Sequence, residues 1–334
     1  MIRVGLIGYG LAGAVFHEPL IQACKRLELI AVLTSREHAL RVASLDELLE
    51  RSDLVVIASP NRTHFPLARA ALEAGRHVVV DKPFTATLPE ADEIIAISKR
   101  IGSILTVFHN RRWDGDFLTV ERILPELGDV LLFEANWDRF RPTIKQGWRE
   151  ESGPGSGVLS DLGPHLIDQA LQLFGTPDSI DADIAIQRPG ACVDDYFDIT
   201  LHYGCMRACL RSSTLLTSPR PRFAVHGMKG SFVKRGLDPQ EFQLKAGRRP
   251  GDAGFGTTNE NGSIVQEGGE TTVPTERGNY RAFYDAVAAA ILDGAQVPVA
   301  PDDARAGLLL IDLARRAAQL GHRLSVPAAS SMED

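Results

Sequence analysis

No apolar run in this 334-residue chain approaches the ~20 residues of a membrane-spanning helix, so no membrane partner is expected. Nor does a charged leader with a hydrophobic stretch and a small-residue cleavage site precede the first strand-like segment, and a cytoplasmic protein is expected. Cysteine is scarce. Cys24, Cys192, Cys205 and Cys209 form no CxxC pair and have no histidine at zinc spacing, which predicts reduced, buried thiols and no metal site. With 36 basic against 43 acidic side chains, the formal net charge of −7 disfavours nonspecific nucleic-acid binding.

What is present is enough chain for two domains, since one domain usually takes ~150 to 200 residues. The first, read as residues 1–118, alternates strand and helix signals. Short apolar runs at Arg3 to Ile7, Leu29 to Leu33, Leu54 to Ala58, His77 to Val80 and Ser103 to Phe108 are separated by helical spacing at Leu11 to Cys24, Phe65 to Ala74 and Pro89 to Arg100. That alternation predicts a parallel, doubly wound α/β sheet. Its first turn carries Gly8, Gly10, Leu11, Ala12 and Gly13 in GxGxxG spacing. There Gly8 permits the tight turn, Gly10 lets backbone N–H groups approach a pyrophosphate, and Gly13 allows close helix packing. The competing reading is a glycine turn that binds nothing.

The end of the second strand reads Thr34, Ser35, Arg36 where an acidic residue would select unphosphorylated ribose. A hydroxyl followed by a guanidinium suits a 2′-phosphate, so NADP is favoured over NAD. The alternative is a solvated Arg36 with Glu37 turned inward. Only about ten residues separate Ser35 from Asp46, too few for a full helix and strand, and Ala39 to Ser44 reads as a truncated remnant.

Two further stretches carry chemistry. IASPNRTHFPLARAALEAGRHVVVDKPF places Ser59, Pro60, Asn61 and His64 beyond one strand and Asp81 and Lys82 beyond the next, at the strand ends where open α/β sheets bind ligands. A lysine there can stabilise a developing alkoxide; a surface lysine before a proline turn is the plainer alternative. GVLSDLGPHLIDQALQLFG looks like a helix entry with Asp161 near the N-cap and Pro164 at the third helical position. Asp161 and His165, four apart, then share one face, and histidine is the side chain whose pKa best suits taking an alcohol proton near neutrality. The alternative is a capping aspartate and a core histidine.

On these motifs the chain resembles the Gfo/Idh/MocA oxidoreductases along essentially its whole length: GYGLAG matches the nucleotide turn, SPNRTH the nicotinamide-side loop, DKP the usual EKP, and DLGPHLID the second-domain signature. The resemblance implies a Rossmann domain followed by an α/β domain with a large, mostly antiparallel sheet. It also places Lys82, Asp161 and His165 on the catalytic lysine, aspartate and histidine, and suggests a homodimer or homotetramer. Asp81 replaces the usual glutamate with a side chain one methylene shorter. FHNRRWDGDFLT and WDRFRP look like a narrower branch, the NADP-dependent scyllo-inositol dehydrogenases. They make Asn110, Arg111, Arg112, Trp113, Arg139 and Arg141 candidates for contact with a polyol or sugar substrate. An interdomain salt-bridge cluster is the other reading, and a phosphate or carboxylate substrate would also explain so many arginines. A nucleotide-binding sensor without turnover is the rival function.

The second domain, residues 119–334, is read as the substrate-binding and oligomerisation domain. Strands are expected at Val130 to Phe140, Ile180 to Gln187, Tyr196 to Tyr203, Met206 to Thr214 and Arg222 to Val233. Helices Asp161 to Phe174 and Tyr280 to Asp293 are expected to cover one face of the sheet, leaving the other for a partner subunit. Ala246 to Thr275 reads as a long loop, and Asp302 to Leu320 as a final helix over a core.

Overall fold

The structure, a computed structural model, describes residues 1–144, 147, 150–153 and 155–327. The chain divides into two compact units: Met1–Asp114 with Pro239–Thr257 and Gly278–Arg305, and Gly115–Asp238 with Thr258–Arg277 and Ala306–Asp334.

The first unit is built on a five-stranded parallel sheet. In chain order its elements are β1 (Ile2–Ile7), α1 (Glu18–Ala23), β2 (Leu27–Leu33), α2 (Leu45–Arg51), β3 (Leu54–Ile57), α3 (His64–Glu73), β4 (His77–Asp81), α4 (Leu88–Ile101) and β5 (Leu105–Phe108). Spatial order is β2-β1-β3-β4-β5. The central strands are apolar on both faces because helices cover both sides; every residue of β3 is buried, as is every residue of the edge strand β5. Local chemistry fixes the helix ends: α4 begins with a reciprocal Thr87/Glu90 capping box and stops at Gly102, whose φ of 74° is the left-handed conformation glycine allows. The shortened stretch after β2 keeps one parallel bridge, Val32 to Arg41, in place of a full strand.

Two later segments complete this unit. They carry helices Gln240–Lys245 and Arg281–Asp293. The Gln240 side chain donates to the Trp113 carbonyl at 3.0 Å and accepts from the Tyr280 amide at 2.7 Å. Phe283 meets Phe108 edge-on at 5.0 Å. Helix Arg281–Asp293 therefore packs in the first unit and not on the second sheet, contrary to expectation. Its apolar stripe requires a core to bury it, but nothing in a stripe says which one.

The second unit holds α5 (Gly115–Ile123), β6 (Val130–Asn136), α6 (Gly157–Phe174), β7 (Ser179–Ala185), β8 (Tyr196–Tyr203), β9 (Met206–Ser213), β10 (Phe223–Gly227), β11 (Gly230–Lys234), β12 (Gly262–Gln266), β13 (Gly269–Val273) and β14 (Leu324–Ser325), with helix Pro301–Leu320 running into it. The strands form one nine-stranded sheet, β13-β12-β11-β10-β6-β9-β8-β7-β14. Its pairs are antiparallel except β6 with β9. Alternation puts Phe133, Ile199, Leu210 and Phe223 into a core with Leu166 and Leu313. On the opposite face Arg211 joins Glu134 and Asp198 in an ion row. The stretch read as a loop contains the hairpin β12/β13: only Ile264 and Val273 of its apolar side chains are buried, too few for a period-2 signal. The cysteines are free, Cys24 and Cys209 buried but Cys192 and Cys205 exposed, which corrects the expectation that all would be buried. No helix of the described residues is long and apolar enough to cross a membrane.

Candidate active site

The glycine turn shows three different demands. Gly8 has φ +93°, and a Cβ there would meet the Ala58 carbonyl oxygen at 2.6 Å; a Cβ on Gly13 would meet the Gly8 carbonyl oxygen at 2.2 Å. Those two lock the turn against itself and against the end of β3. A Cβ on Gly10 would meet nothing within 4 Å. That is the notch a dinucleotide pyrophosphate needs, and the residues fit such a cofactor. Leu11 is exposed, and Ala12 opens a short helical turn running into α1. Ser35, Arg36 and Glu37 are all exposed beyond β2, where the Arg36 amide donates to Thr34 Oγ1 at 3.1 Å. Glu37 is thus not turned inward. Glu18 accepts from the Tyr9 hydroxyl and faces His38 at 3.3 Å; that hydrogen bond, with burial, pushes the Tyr9 phenol up to about 12.

At the ends of β3 and β4, His64 acts as a brace. Its Nδ1 lies 2.8 Å from the Pro83 carbonyl and its Nε2 3.0 Å from the Ser59 carbonyl, so one buried ring ties the Ser59-Pro60-Asn61 loop to the Lys82-Pro83 loop. Pro60 is exposed and Asn61 half-buried. Asp81 accepts from the Lys82 amide at 2.8 Å, and its other oxygen lies 3.9 Å from His17 Nε2. Burial alone would raise the Asp81 carboxyl, but the facing His17 ring and the Lys82 charge bring it below the usual carboxylate range. His17 Nδ1 meets the Tyr284 hydroxyl at 2.6 Å. Burial, reinforced by Asp81, keeps that phenol far above its ordinary value. The sequence reading missed both His17 and Tyr284; a histidine inside the first helical stretch after the glycine turn was the available signal.

In the second unit α6 starts at Gly157, a full turn before the expected entry. Gly157 has φ +84°, and a Cβ there would strike the Asp194 carboxylate at 2.2 Å. Asp194 accepts from the Leu159 amide at 2.6 Å, so the helix is capped from a distant loop and Asp161 is not the N-cap. Burial raises the Asp194 carboxyl even against that bond. Pro164 lies inside the helix. Asp161 and His165 still share a face, on successive turns. Asp161 Oδ2 lies 3.5 Å from Arg139 Nη1. His165 is buried, its ring stacked on Trp137 with centroids 6.3 Å apart and planes 29° apart.

The remaining arginines sort by partner. Arg111 is buried with Asp114, Glu241 and the Tyr280 hydroxyl, and Arg112 pairs with Asp303 at 3.1 Å, all inside the first unit. Asn110 is buried beside them, and Trp113 meets Phe283 edge-on at 5.7 Å. Arg141 is exposed, its amide bonded to the Thr214 carbonyl at 2.7 Å. Among the described residues no group of three or more His, Cys, Asp or Glu side chains could hold a metal ion.

Residues 2–109 match the family model described as "Oxidoreductase family, NAD-binding Rossmann fold", and residues 121–326 the one described as "Oxidoreductase family, C-terminal alpha/beta domain". Over 97% of its length the chain is 46% identical to the oxidoreductase YdgJ of Escherichia coli, 98% of which is covered. It is 36% identical to the Bacillus subtilis scyllo-inositol 2-dehydrogenase (NADP(+)) IolW, over 90% of this chain and 89% of that protein. Among solved structures it resembles YPO2259 from Yersinia pestis, with a TM-score of 0.94, 42% identity and coverage of 98% and 97% of the two chains.

Proposed function

The chain belongs to the Gfo/Idh/MocA oxidoreductase family, and from that premise we propose that it is an NADP-dependent dehydrogenase acting on a secondary hydroxyl of a polyol or sugar of the scyllo-inositol kind. The observation that carries the reading is the Asp161/His165 pair on successive turns of α6, one carboxylate held by an arginine and one imidazole buried against an indole. When bound, the nicotinamide supplies the hydride acceptor. His165 takes the hydroxyl proton, Asp161 supports the imidazolium that forms, and Lys82 stabilises the developing alkoxide. The glycine turn receives the pyrophosphate, with Ser35 and Arg36 reading the 2′-phosphate. The Ser59-Pro60-Asn61 and Asp81-Lys82 loops, braced by His64, hold the nicotinamide side.

Of the six candidates for substrate contact, Arg111 and Arg112 have carboxylate partners in their own unit, and we assign them to holding its returning segments in place. Asn110, Trp113 and Arg141 remain assigned to substrate, as does Arg139, whose carboxylate partner Asp161 is itself one of the proposed reacting groups. The IolW relative, named for scyllo-inositol and NADP, supports both the polyol and the cofactor. The breadth of the second sheet supports assembly as a homodimer or homotetramer. A panel of inositols, aldoses and uronates followed by NADPH absorbance tests the reading. Turnover of at least one polyol is expected; tight NADP binding with no turnover across the panel would make the protein a sensor instead.

A further inference from the structure

We propose that Trp137 is the positioning plate for the His165 imidazole and that Arg222, a residue outside the reacting groups, is what holds that plate. The inference rests on His165 being the proton acceptor of the proposed reaction.

Three residues on successive turns of α6, Asp161, His165 and Gln169, form one stripe. Trp137 lies against the middle one. The guanidinium of Arg139 sits 5.8 Å from the Trp137 ring centroid and reaches Asp161 at 3.5 Å. The guanidinium of Arg222 sits 5.0 Å from the same ring and donates to Gln169 Oε1 at 2.7 Å. Two arginines thus link the indole to the turns on either side of His165. His165, Trp137, Arg222 and Gln169 form a chain of contacts that begins and ends on α6. A tilt of the indole would move it against a guanidinium anchored on Gln169, and a tilt of the imidazole would lose its near-parallel arrangement with the indole.

The surroundings make the arrangement costly for a merely structural one. Arg222 is 2% exposed, stacked at 4.1 Å from the Phe223 ring, with the buried Asp116 carboxylate 3.6 Å from its Nε. Lys234 is buried in the same region; burial lowers its ammonium, opposed chiefly by Asp116, and Arg222 lowers it further. Apolar side chains of similar volume would fill such a site at equal or better stability. The backbone of Trp137 is pinned as well: its amide donates to the Arg211 carbonyl at 2.9 Å and its carbonyl accepts from Ser212 Oγ at 2.6 Å. A proton acceptor gains rate from being held at one angle, and a misplacement of about 1 Å can lose on the order of 10²-fold.

The test is a double-mutant cycle on kcat with the most active polyol and saturating NADP. Arg222→Met is expected to lower kcat by about 10- to 100-fold with the cofactor KM unchanged. Made in a His165→Ala background, the same substitution is expected to lower kcat no further, because it acts through His165. Trp137→Phe, which keeps a flat ring, should retain more activity than Trp137→Leu. Should Arg222→Met fail to fold, Gln169→Met breaks the same chain of contacts from the helix side and carries the same comparison. A folded Arg222→Met or Gln169→Met enzyme with wild-type kcat, or a loss that multiplies in the His165→Ala background, would overturn the positioning role. Wild-type turnover in His165→Ala alone would instead overturn the proposed chemistry, so the two failures are distinguishable.

Discussion

The Arg111 guanidinium and the Glu241 carboxylate form an ion pair inside the first unit although 130 residues of chain separate them. Burial alone would raise the Glu241 carboxyl, but Arg111 and Lys245 bring it down from 4.5 to about 2. A carboxyl lowered by folding stabilises the native state above its unfolded pKa, and that contribution disappears as the pH falls through the folded value. Glu241→Gln should therefore cost about 1–3 kcal/mol at pH 7, with Arg111 keeping Asp114 and Tyr280. The gap between wild type and variant should close as the pH falls from about 4.5 towards about 2. Urea denaturation at several pH values measures it, and a gap independent of pH would refute the pairing.

The glycine turn separates stability from binding. Gly13→Ala puts a methyl into the Gly8 carbonyl and should lower the melting temperature. Gly10→Ala meets no protein atom within 4 Å, so its melting temperature without cofactor should equal that of wild type. Its dinucleotide affinity should nonetheless fall by at least ~10-fold, since the methyl enters the notch proposed for the pyrophosphate. Thermal melts and fluorescence titration read the two effects separately. A Gly10→Ala protein that binds cofactor normally would contradict this use of the notch.

The proposed choice of NADP rests on Arg36, exposed past β2 with no acidic residue before it at the strand end. A charge-assisted contact to a 2′-phosphate contributes about 1.5 to 3 kcal/mol, roughly ten- to a hundredfold in affinity. NADP should bind more tightly than NAD by that factor. Arg36→Ala should weaken NADP alone. Titrations at one fixed salt concentration decide it, and a parallel loss of both cofactors would show that Arg36 does not read the 2′ position.

Local pattern made much of this legible. The five parallel strands and the GxGxxG turn are encoded by residues adjacent in sequence, as is the Asp161/His165 spacing. What escaped depends on partners far along the chain. Asp161 looks like a helix cap three residues before Pro164, yet the cap is Asp194, from a distant loop. For Arg111 and Arg112 the sequence leaves substrate contact and a salt-bridge cluster both open, and the carboxylates they pair with, Glu241 and Asp303, return only on later segments. Trp137 opens the WDRFRP stretch, but nothing there points to His165, and Arg222 carries no motif; only folding brings them to α6.

The central claim is that Lys82 and His165 serve proton and charge management in oxidation of a secondary hydroxyl. Steady-state NADPH formation by wild type, Lys82→Ala and His165→Ala, each at saturating NADP with the most active polyol, tests it most directly. Each substitution is predicted to lower kcat by at least ~10², the scale of one acid–base or oxyanion contribution, while NADP still binds. Near-normal kcat in both variants would contradict the account.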